Sequence, residues 1–356
     1  MQRIVFTGGG SAGHVVPNLA LIEKLSTDND IFYIGSKDGI EKQLVGSTSI
    51  PYYAIASGKL RRYWSLKNFL DPFKIIVGII QAWWYLGKLK PQVVFSKGGF
   101  VAFPVVFAAW LRGIPAIAHE SDLTPGLANR LSFPFAKKIA LTFTQTYEKL
   151  QSIGGSSKYV LTGTPIRESL LNGNAVTGRT MCDFKNDKPC ILVIGGGSGS
   201  AVINEVVRSA LPLLLKGVNV IHCCGAGKSA VSLLPGYKQF EYVNEELAHL
   251  YASADMVISR AGANTVYEIL ALKKPAIFIP LSLKASRGDQ IANARWLESK
   301  GLCRVLEEST LTCDSLIQAI QENFEQYTDM QERITAYGIK SGTDNIINLI
   351  NEVTRG

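Results

Sequence analysis

The chain has 356 residues, enough for two domains of about 150 to 200 residues, each with its own core. With 47% hydrophobic and 19% charged residues it is not a disordered chain, and a formal net charge of +8 gives it a basic surface suited to nucleic acid, anionic lipid or phosphorylated ligands. Six cysteines, at 182, 190, 223, 224, 303 and 313, lack C-x-x-C spacing and read as buried free thiols of a reducing cytoplasm; the first residues show no signal-peptide pattern.

Ile4, Val5 and Phe6 read as a buried strand, and Leu19, Ala20, Leu21, Ile22 and Leu25 have helical spacing. Between them lies TGGGSAGHVVPN at 7–18. A glycine turn joining strand to helix aims backbone N–H groups and the positive end of a helix dipole at one spot, which suits phosphate oxygens. Gly8, Gly10 and Gly13 spell the dinucleotide fingerprint G-x-G-x-x-G. That reading needs an acid at the end of the second strand, where 31–34 is followed by Gly35, Ser36 and Lys37 instead. A nicotinamide or flavin site is disfavoured accordingly.

Apolar strands and helical stretches then alternate: 52–56, a long stretch 66–89, a strand at 93–95, a second glycine turn SKGGF at 96–100, and a helix over 101–112. A strand at 116–118 runs into His119 and Glu120, and another is expected at 138–142. This order implies a parallel sheet covered on both faces, with ligands beyond the carboxyl ends of its strands. The segment 73–89 holds thirteen uncharged residues between Lys74 and Lys88, too few to span a bilayer, which needs roughly 20. Trp83, Trp84 and Tyr85, with Arg61, Arg62, Tyr63 and Trp64 upstream, have the composition of an interfacial contact; a core helix with basic neighbours is the other reading.

The pattern pauses near 162–165, and 172–189 is polar and irregular, which places the domain junction there. A strand at 190–194 then enters GGGSGSAVIN at 195–204, restating the opening construction. Two domains of one design follow, with a ligand expected in a cleft between their glycine turns. A strand at 256–258, a turn at 259–263 and a helix from Asn264 come next. Glu268 is either the acid of a capping box opened by Thr265 or a carboxylate for the vicinal hydroxyls of a ribose. Arg287, Asp289 and Gln290 open a further helix after the strand 277–279, a start that suits sugar hydroxyls and phosphate.

The chain resembles the MurG family, UDP-N-acetylglucosamine transferases acting on the undecaprenyl-linked precursor of peptidoglycan. The likeness rests on GGGSAGHVVPN at 8–18, SKGGFVAFP at 96–104, HESDLTPGLANR at 119–130, TGTPIR at 162–167, GGGSGSAVIN at 195–204, SRAGANTVYE at 259–268 and RGDQIANA at 287–294, in order along nearly the whole chain. It implies an α/β GT-B architecture: two doubly wound, Rossmann-like domains facing a cleft. The expected divisions are 1–164 for the lipid-linked acceptor, 165–340 for the UDP-sugar, and a terminal helix, 341–356, crossing back to the first domain.

By the same resemblance Ser11, Ala12 and Gly13 lie near the donor, Arg167 near the junction, and Val243 where the backbone reads the uracil. Gly262, Ala263, Asn264, Thr265, Val266 and Tyr267 wrap the nucleotide, Glu268 holds the ribose, and Gln290 the sugar hydroxyls. Three positions depart from the family pattern. Asp122 replaces a usual Asn, Gly197 a phosphate-binding Ser with Ser198 one place later, and Asp289 the first of two glutamines.

The implied reaction is an inverting transfer in which a hydroxyl of the acceptor's muramoyl sugar attacks the anomeric carbon as UDP leaves. It needs a base and positive potential on the departing diphosphate. His14 is the preferred base, with His119 and Glu120 as rivals; an imidazole pKa near 6.5 suits the task. The glycine-loop amides and Arg167 would serve the diphosphate. No cofactor and no nucleic-acid partner are expected, the helix ends after the glycine loops could serve the diphosphate without metal, and the basic and aromatic segment 61–88 points to docking on the cytoplasmic membrane face. Asp28-Asn29-Asp30 spells D-x-D, yet lies before the second strand, at the wrong end of the sheet. The other readings are a UDP-sugar transferase to a membrane glycolipid, a nicotinamide-dependent oxidoreductase, and a non-catalytic sugar-nucleotide binder.

Overall fold

The computed structural model describes residues 1–58, 67–154, 157–230 and 234–355, which form two compact units, Met1–Ile166 with Ser341–Gly356, and Arg167–Lys340. Arg61, Arg62, Tyr63 and Trp64 lie outside the described residues.

In the first unit β1 (Arg3–Thr7), β2 (Asp30–Ser36), β3 (Tyr52–Ile55), β4 (Val93–Ser96), β5 (Ala116–Glu120), β6 (Lys138–Leu141) and β7 (Tyr159–Leu161) pair in parallel, in the order β3-β2-β1-β4-β5-β6-β7. Side chains alternate across the pleat. Ile4, Phe6, Tyr33, Phe95 and Ile117 fill one face, whereas Val5, Ile34 and Val94 fill the other. A strand with both faces covered must be apolar throughout, which is why the run at 4–6 carries no polar residue. The helix Val16–Leu25 and the last helix, Thr343–Arg355, cover the first face through Leu21, Ile346, Leu349, Ile350 and Val353. The helices Lys67–Leu89 and Ala102–Leu111 cover the second through Ala82, Leu86, Val105 and Ala109.

In the second unit β8 (Cys190–Ile194), β9 (Asn219–Cys223), β10 (Tyr237–Phe240), β11 (Met256–Ser259), β12 (Ala276–Phe278) and β13 (Arg304–Val305) are again all parallel, ordered β10-β9-β8-β11-β12-β13. Ile191, Val193, Ile258 and Ile277 pack against the helices Ala201–Leu214 and Cys313–Glu325 through Ile203, Val207, Leu316 and Ile320. Strand order reverses between β1 and β4, and between β8 and β11. Ligands gather at such switch points, beyond the carboxyl ends of the strands.

The polar stretch 172–189 is not a linker. It contains the helix Ala175–Met181, opened by Asn174, whose Oδ1 accepts from Thr177 N at 2.9 Å, and Gly178 lies against the backbone of His249. The chain passes between units at 166–167 instead, and returns at 340–341. The strands β7 and β10 also went unread in the sequence: three residues at the sheet edge and the half-polar YKQF carry little apolar pattern. All six cysteines are free, five of them buried, and burial pushes the thiols of Cys190 and Cys223 up to about 12, which leaves them inert.

Because the last helix supplies four core side chains to the first unit, Ile350→Ala should cost about 3 kcal/mol. Urea unfolding followed by the fluorescence of Trp83, Trp84 and Trp110 checks this; an unchanged midpoint would mean that the helix contributes little to that core.

Candidate functional site

The glycine turns after β1 and β4 meet backbone to backbone. Gly9 N donates to Gly98 O at 3.2 Å, and a Cβ on Gly99, whose φ is +88°, would run into Gly9 O. Only glycine tolerates both the left-handed backbone and the approach. The turn continues through exposed Ser11 into a short 3-10 helix, Ala12–His14, so Ser11, Ala12, Gly13 and His14 stand together beyond β1. His14 Nδ1 lies 3.0 Å from Gly9 O and 3.0 Å from Ser11 Oγ. A carbonyl oxygen only accepts, so the ring proton belongs on Nδ1 and the lone pair on Nε2, the tautomer a general base requires.

His119 and Glu120 are differently placed. Both belong to β5 and are buried. His119 Nε2 donates to Gly163 O at 2.9 Å, and its Nδ1 accepts from Lys97 Nζ at 2.9 Å; burial and the neighbouring lysine hold its pKa well below the usual imidazole value. Glu120 accepts from Asp122 N, Gly126 N and Asn129 Nδ2, each at 2.9 Å, and so stitches the loop that presents Asp122. Burial raises its pKa, with the Asp122 carboxylate adding to the effect. Neither residue presents a proton-accepting atom that is not already committed within the protein. Lys97, which the sequence did not single out, is 1% exposed, and burial pulls its ammonium down to about 7.

A second unforeseen group corrects the reading of β2. No acid follows the strand directly, but Glu41, in the helix Ile40–Gly46, folds back over its end. It is fully buried; Oε2 accepts from Gly10 N at 3.1 Å, and Oε1 accepts from Ser36 N at 3.1 Å and from Ser36 Oγ. A carboxylate does occupy the place where a dinucleotide fold holds ribose, but it serves the protein's own amides.

In the second unit the exposed turn at Gly196, Gly197 and Ser198 follows β8, and Ser200 caps the helix Ala201–Leu214. Nothing lies within 4 Å of a Cβ added to Gly197, so the family's serine would fit there. Lys228 Nζ donates to Ser198 O at 2.8 Å and Gly199 O at 3.3 Å. Buried Arg260, just past β11, donates to the helix cap Ser200 Oγ at 2.7 Å and to Ile279 O after β12 at 3.0 Å, and pairs with Glu308.

Gly262 is the N-cap of the helix Ala263–Ala271, with no side-chain cap bond, so the capping-box reading of Glu268 fails: Thr265 already lies inside the helix. Val266 and Tyr267 turn into the core, while Asn264, Thr265 and Glu268 stay partly exposed. Burial raises Glu268 to about 7, and Arg167 opposes that rise. Arg167 Nη1 donates to Asn244 Oδ1 at 3.3 Å, which brings Arg167, Glu268 and the loop carrying Val243 to one place. Gln290 Oε1 accepts from Leu281 N at 3.0 Å, and Asp289 pairs with Arg287 at 3.3 Å. The D-x-D triplet lies at the amino end of β2, where Asn29 bonds Gln2 N and Asp30 pairs with Arg3.

Two doubly wound parallel sheets with glycine turns at their switch points are the layout of the GT-B class, in which glycosyltransferases bind nucleotide sugars. Two family models match: the glycosyltransferase family 28 N-terminal domain at residues 4–141 and its C-terminal domain at residues 190–349. The UDP-N-acetylglucosamine--N-acetylmuramyl-(pentapeptide) pyrophosphoryl-undecaprenol N-acetylglucosamine transferase of Legionella pneumophila (strain Paris) is 54% identical over 98% of this chain and 96% of its own. That of Clostridium kluyveri is 53% identical over 99% of both. The crystal structure of Acinetobacter baumannii MurG matches with a TM-score of 0.76 and 26% identity, over 99% of this chain and 100% of that one. The chain belongs to glycosyltransferase family 28 and, within it, to the MurG family.

The pKa of Glu268 has a consequence for stability. The unfolded chain releases this proton near 4.5 and the folded chain near 7, so the folded state binds the extra proton between those values. The stabilisation is complete below pH 4.5 and is lost as pH rises through 7. Relative to Glu268→Gln, the wild type should lose on the order of 2 kcal/mol across that window. Melting temperatures of both proteins from pH 4.5 to 7.5 read this; parallel curves would refute it.

Proposed function

We infer that the chain transfers N-acetylglucosamine from UDP-N-acetylglucosamine to the muramoyl sugar of undecaprenyl-diphospho-muramoylpentapeptide, converting lipid I to lipid II in peptidoglycan synthesis. The near-full-length likeness to transferases of that name carries the reading. The acceptor hydroxyl oxygen bonds to the anomeric carbon as the bond from that carbon to the diphosphate breaks. Its proton passes to His14 Nε2, and the bonding pair leaves with UDP. His14 as base is supported by the proton its Gly9 contact fixes on Nδ1.

For the second unit we propose the donor site. Glu268 accepts from the ribose hydroxyls, Val243 offers its backbone to the uracil, and Gln290 faces the sugar through its amide, its carbonyl being engaged with Leu281. The turn at 196–198, Lys228 and Arg167 supply positive potential to the leaving diphosphate. Val266 and Tyr267 reach a nucleotide only through their backbone, since their side chains are buried. We propose that the first unit handles the lipid-linked acceptor and that its residues Ser11, Ala12, Gly13 and Asp122 contact the donor. With purified lipid I and UDP-N-acetylglucosamine, wild-type protein should release UDP, whereas diacylglycerol as acceptor should not support release. His14→Ala should cut turnover by about a hundredfold or more with donor affinity unchanged; near-normal turnover would dismiss the histidine.

Docking on the cytoplasmic membrane face is supported by one helix. Among the described residues no helix is long and apolar enough to cross a membrane. Yet Phe73, Ile76, Val77, Ile80, Trp83 and Trp84 form one exposed stripe of the helix Lys67–Leu89, with exposures up to 69%, while Ala82, Leu86 and Leu89 face the core. The outward face supports the interfacial reading, and the inward face is that of a core helix. Lys88 lies 5.7 Å from the Trp84 ring and Arg112 3.8 Å from that of Trp83, so cations border the stripe. Tyr85 packs inward on Tyr53 and is no part of it. Replacing Ile76, Ile80 and Trp84 by Ser should abolish co-sedimentation with anionic liposomes; undiminished binding would remove this face from consideration.

A further inference from the structure

One peptide group joins Glu41 to His14. Gly10 N donates to Glu41 Oε2 at 3.1 Å, and Gly9 O, the other end of the same peptide, lies 3.0 Å from His14 Nδ1. Carboxylate, amide and imidazole thus form one hydrogen-bonded chain: O⁻ to H–N, then C=O to H–Nδ1. A negative charge at the N–H end of a peptide polarises it and makes its carbonyl a stronger acceptor. Loop and carboxylate are built around each other, because a Cβ on Gly9 or on Gly39 would collide with the carboxyl group. Ser36 N and Ser36 Oγ hold its second oxygen, and Tyr52 Oη donates to Ser36 O at 2.6 Å, so the anchor is itself fixed.

We propose that Glu41 is a positioning residue for the transfer: through the Gly9–Gly10 peptide it locks the proton of His14 on Nδ1 and strengthens Nε2 as a base. The proposal rests on His14 taking the acceptor's proton. It gives a buried carboxylate the orienting part that an aspartate plays on a catalytic histidine, with a backbone amide interposed. Ser11 Oγ, 3.0 Å from Nδ1, shares the same proton as a second acceptor.

The titratable groups packed against this loop are Tyr33, whose hydroxyl donates to Gly8 O at 2.8 Å, Tyr52 and Lys97. Burial raises both tyrosines above their ordinary range, so neither changes charge near neutrality. Lys97 does titrate there, so the readout must be taken at the histidine itself.

The test is ¹⁵N NMR of the imidazoles in wild-type protein and Glu41→Gln, with steady-state kinetics of both. Wild-type His14 is expected as the Nδ1–H tautomer. In Glu41→Gln its titration midpoint and the acid limb of kcat/KM should both fall by about half a pH unit. Turnover should fall about tenfold, while KM for UDP-N-acetylglucosamine stays within about twofold. A wild-type Nε2–H tautomer overturns the proposal with no variant needed, should Glu41→Gln fold poorly. An unshifted midpoint with full turnover in the folded variant overturns it as well. If wild-type protein shows the Nδ1–H tautomer and the shift on Glu41→Gln but transfers no sugar, the relay stands and the assigned reaction fails.

Discussion

The close approach of Gly99 to Gly9 sets the geometry of the first unit's site. Parallel pairing of β1 with β4 brings two glycine turns out of the sheet side by side, and they touch through main chain alone. A side chain at Gly99 would push the first turn away from β4. The Gly9–Gly10 peptide would then lose its alignment between Glu41 and His14. Contacts of this kind leave the turn no rotamer to change, because they run between main-chain atoms that the pairing of β1 with β4 already holds.

Several polar groups around that turn are buried without an opposite charge in contact. Lys97 meets His119, Ser121 and Thr164, all neutral acceptors, and Glu41 meets only N–H and O–H donors. A buried charge so held costs stability relative to an apolar residue of similar shape, and it fixes loops that apolar contacts would leave to slide. His119 and Glu120 belong to this framework: they lend the β5 end its shape, while the 3-10 turn Ala12–His14 has no buried residue.

What the sequence made legible follows from the range of the interactions involved. Strand, glycine turn and helix are local patterns, so the cores of β1, β2, β4, β8, β11 and β12 and their turns could be read directly. The contacts that define the site are not local. Gly10 and Glu41 are 31 residues apart, Lys97 and His119 are 22, and Arg260 and Glu308 are 48. No spacing rule reaches across such distances. Glu268 shows the opposite failure, in which a local rule, the capping box, fitted the letters while the helix began earlier at Gly262. The polar composition of 172–189 misled for a related reason: Ala175–Met181 is short and half exposed, so its helix has almost no apolar stripe to detect.

The two units share one plan and use it differently. Both place a glycine turn at a switch point, where a nest of amides attracts an anion. In the first, the protein's own Glu41 takes the Gly10 amide and leaves no room for a second carboxylate or phosphate against it. In the second, the turn at 196–198 is exposed, Gly197 has open space before it, and Lys228 adds a cation at its rim. The same backbone construction thus yields a filled nest in one unit and an open one in the other. An open nest leaves its amides available to an anion, whereas in the filled one the Gly10 amide is already committed to the protein's own carboxylate. A single carboxylate on a neighbouring helix is thus enough to make two copies of one design differ in which turn amides stay open to a ligand.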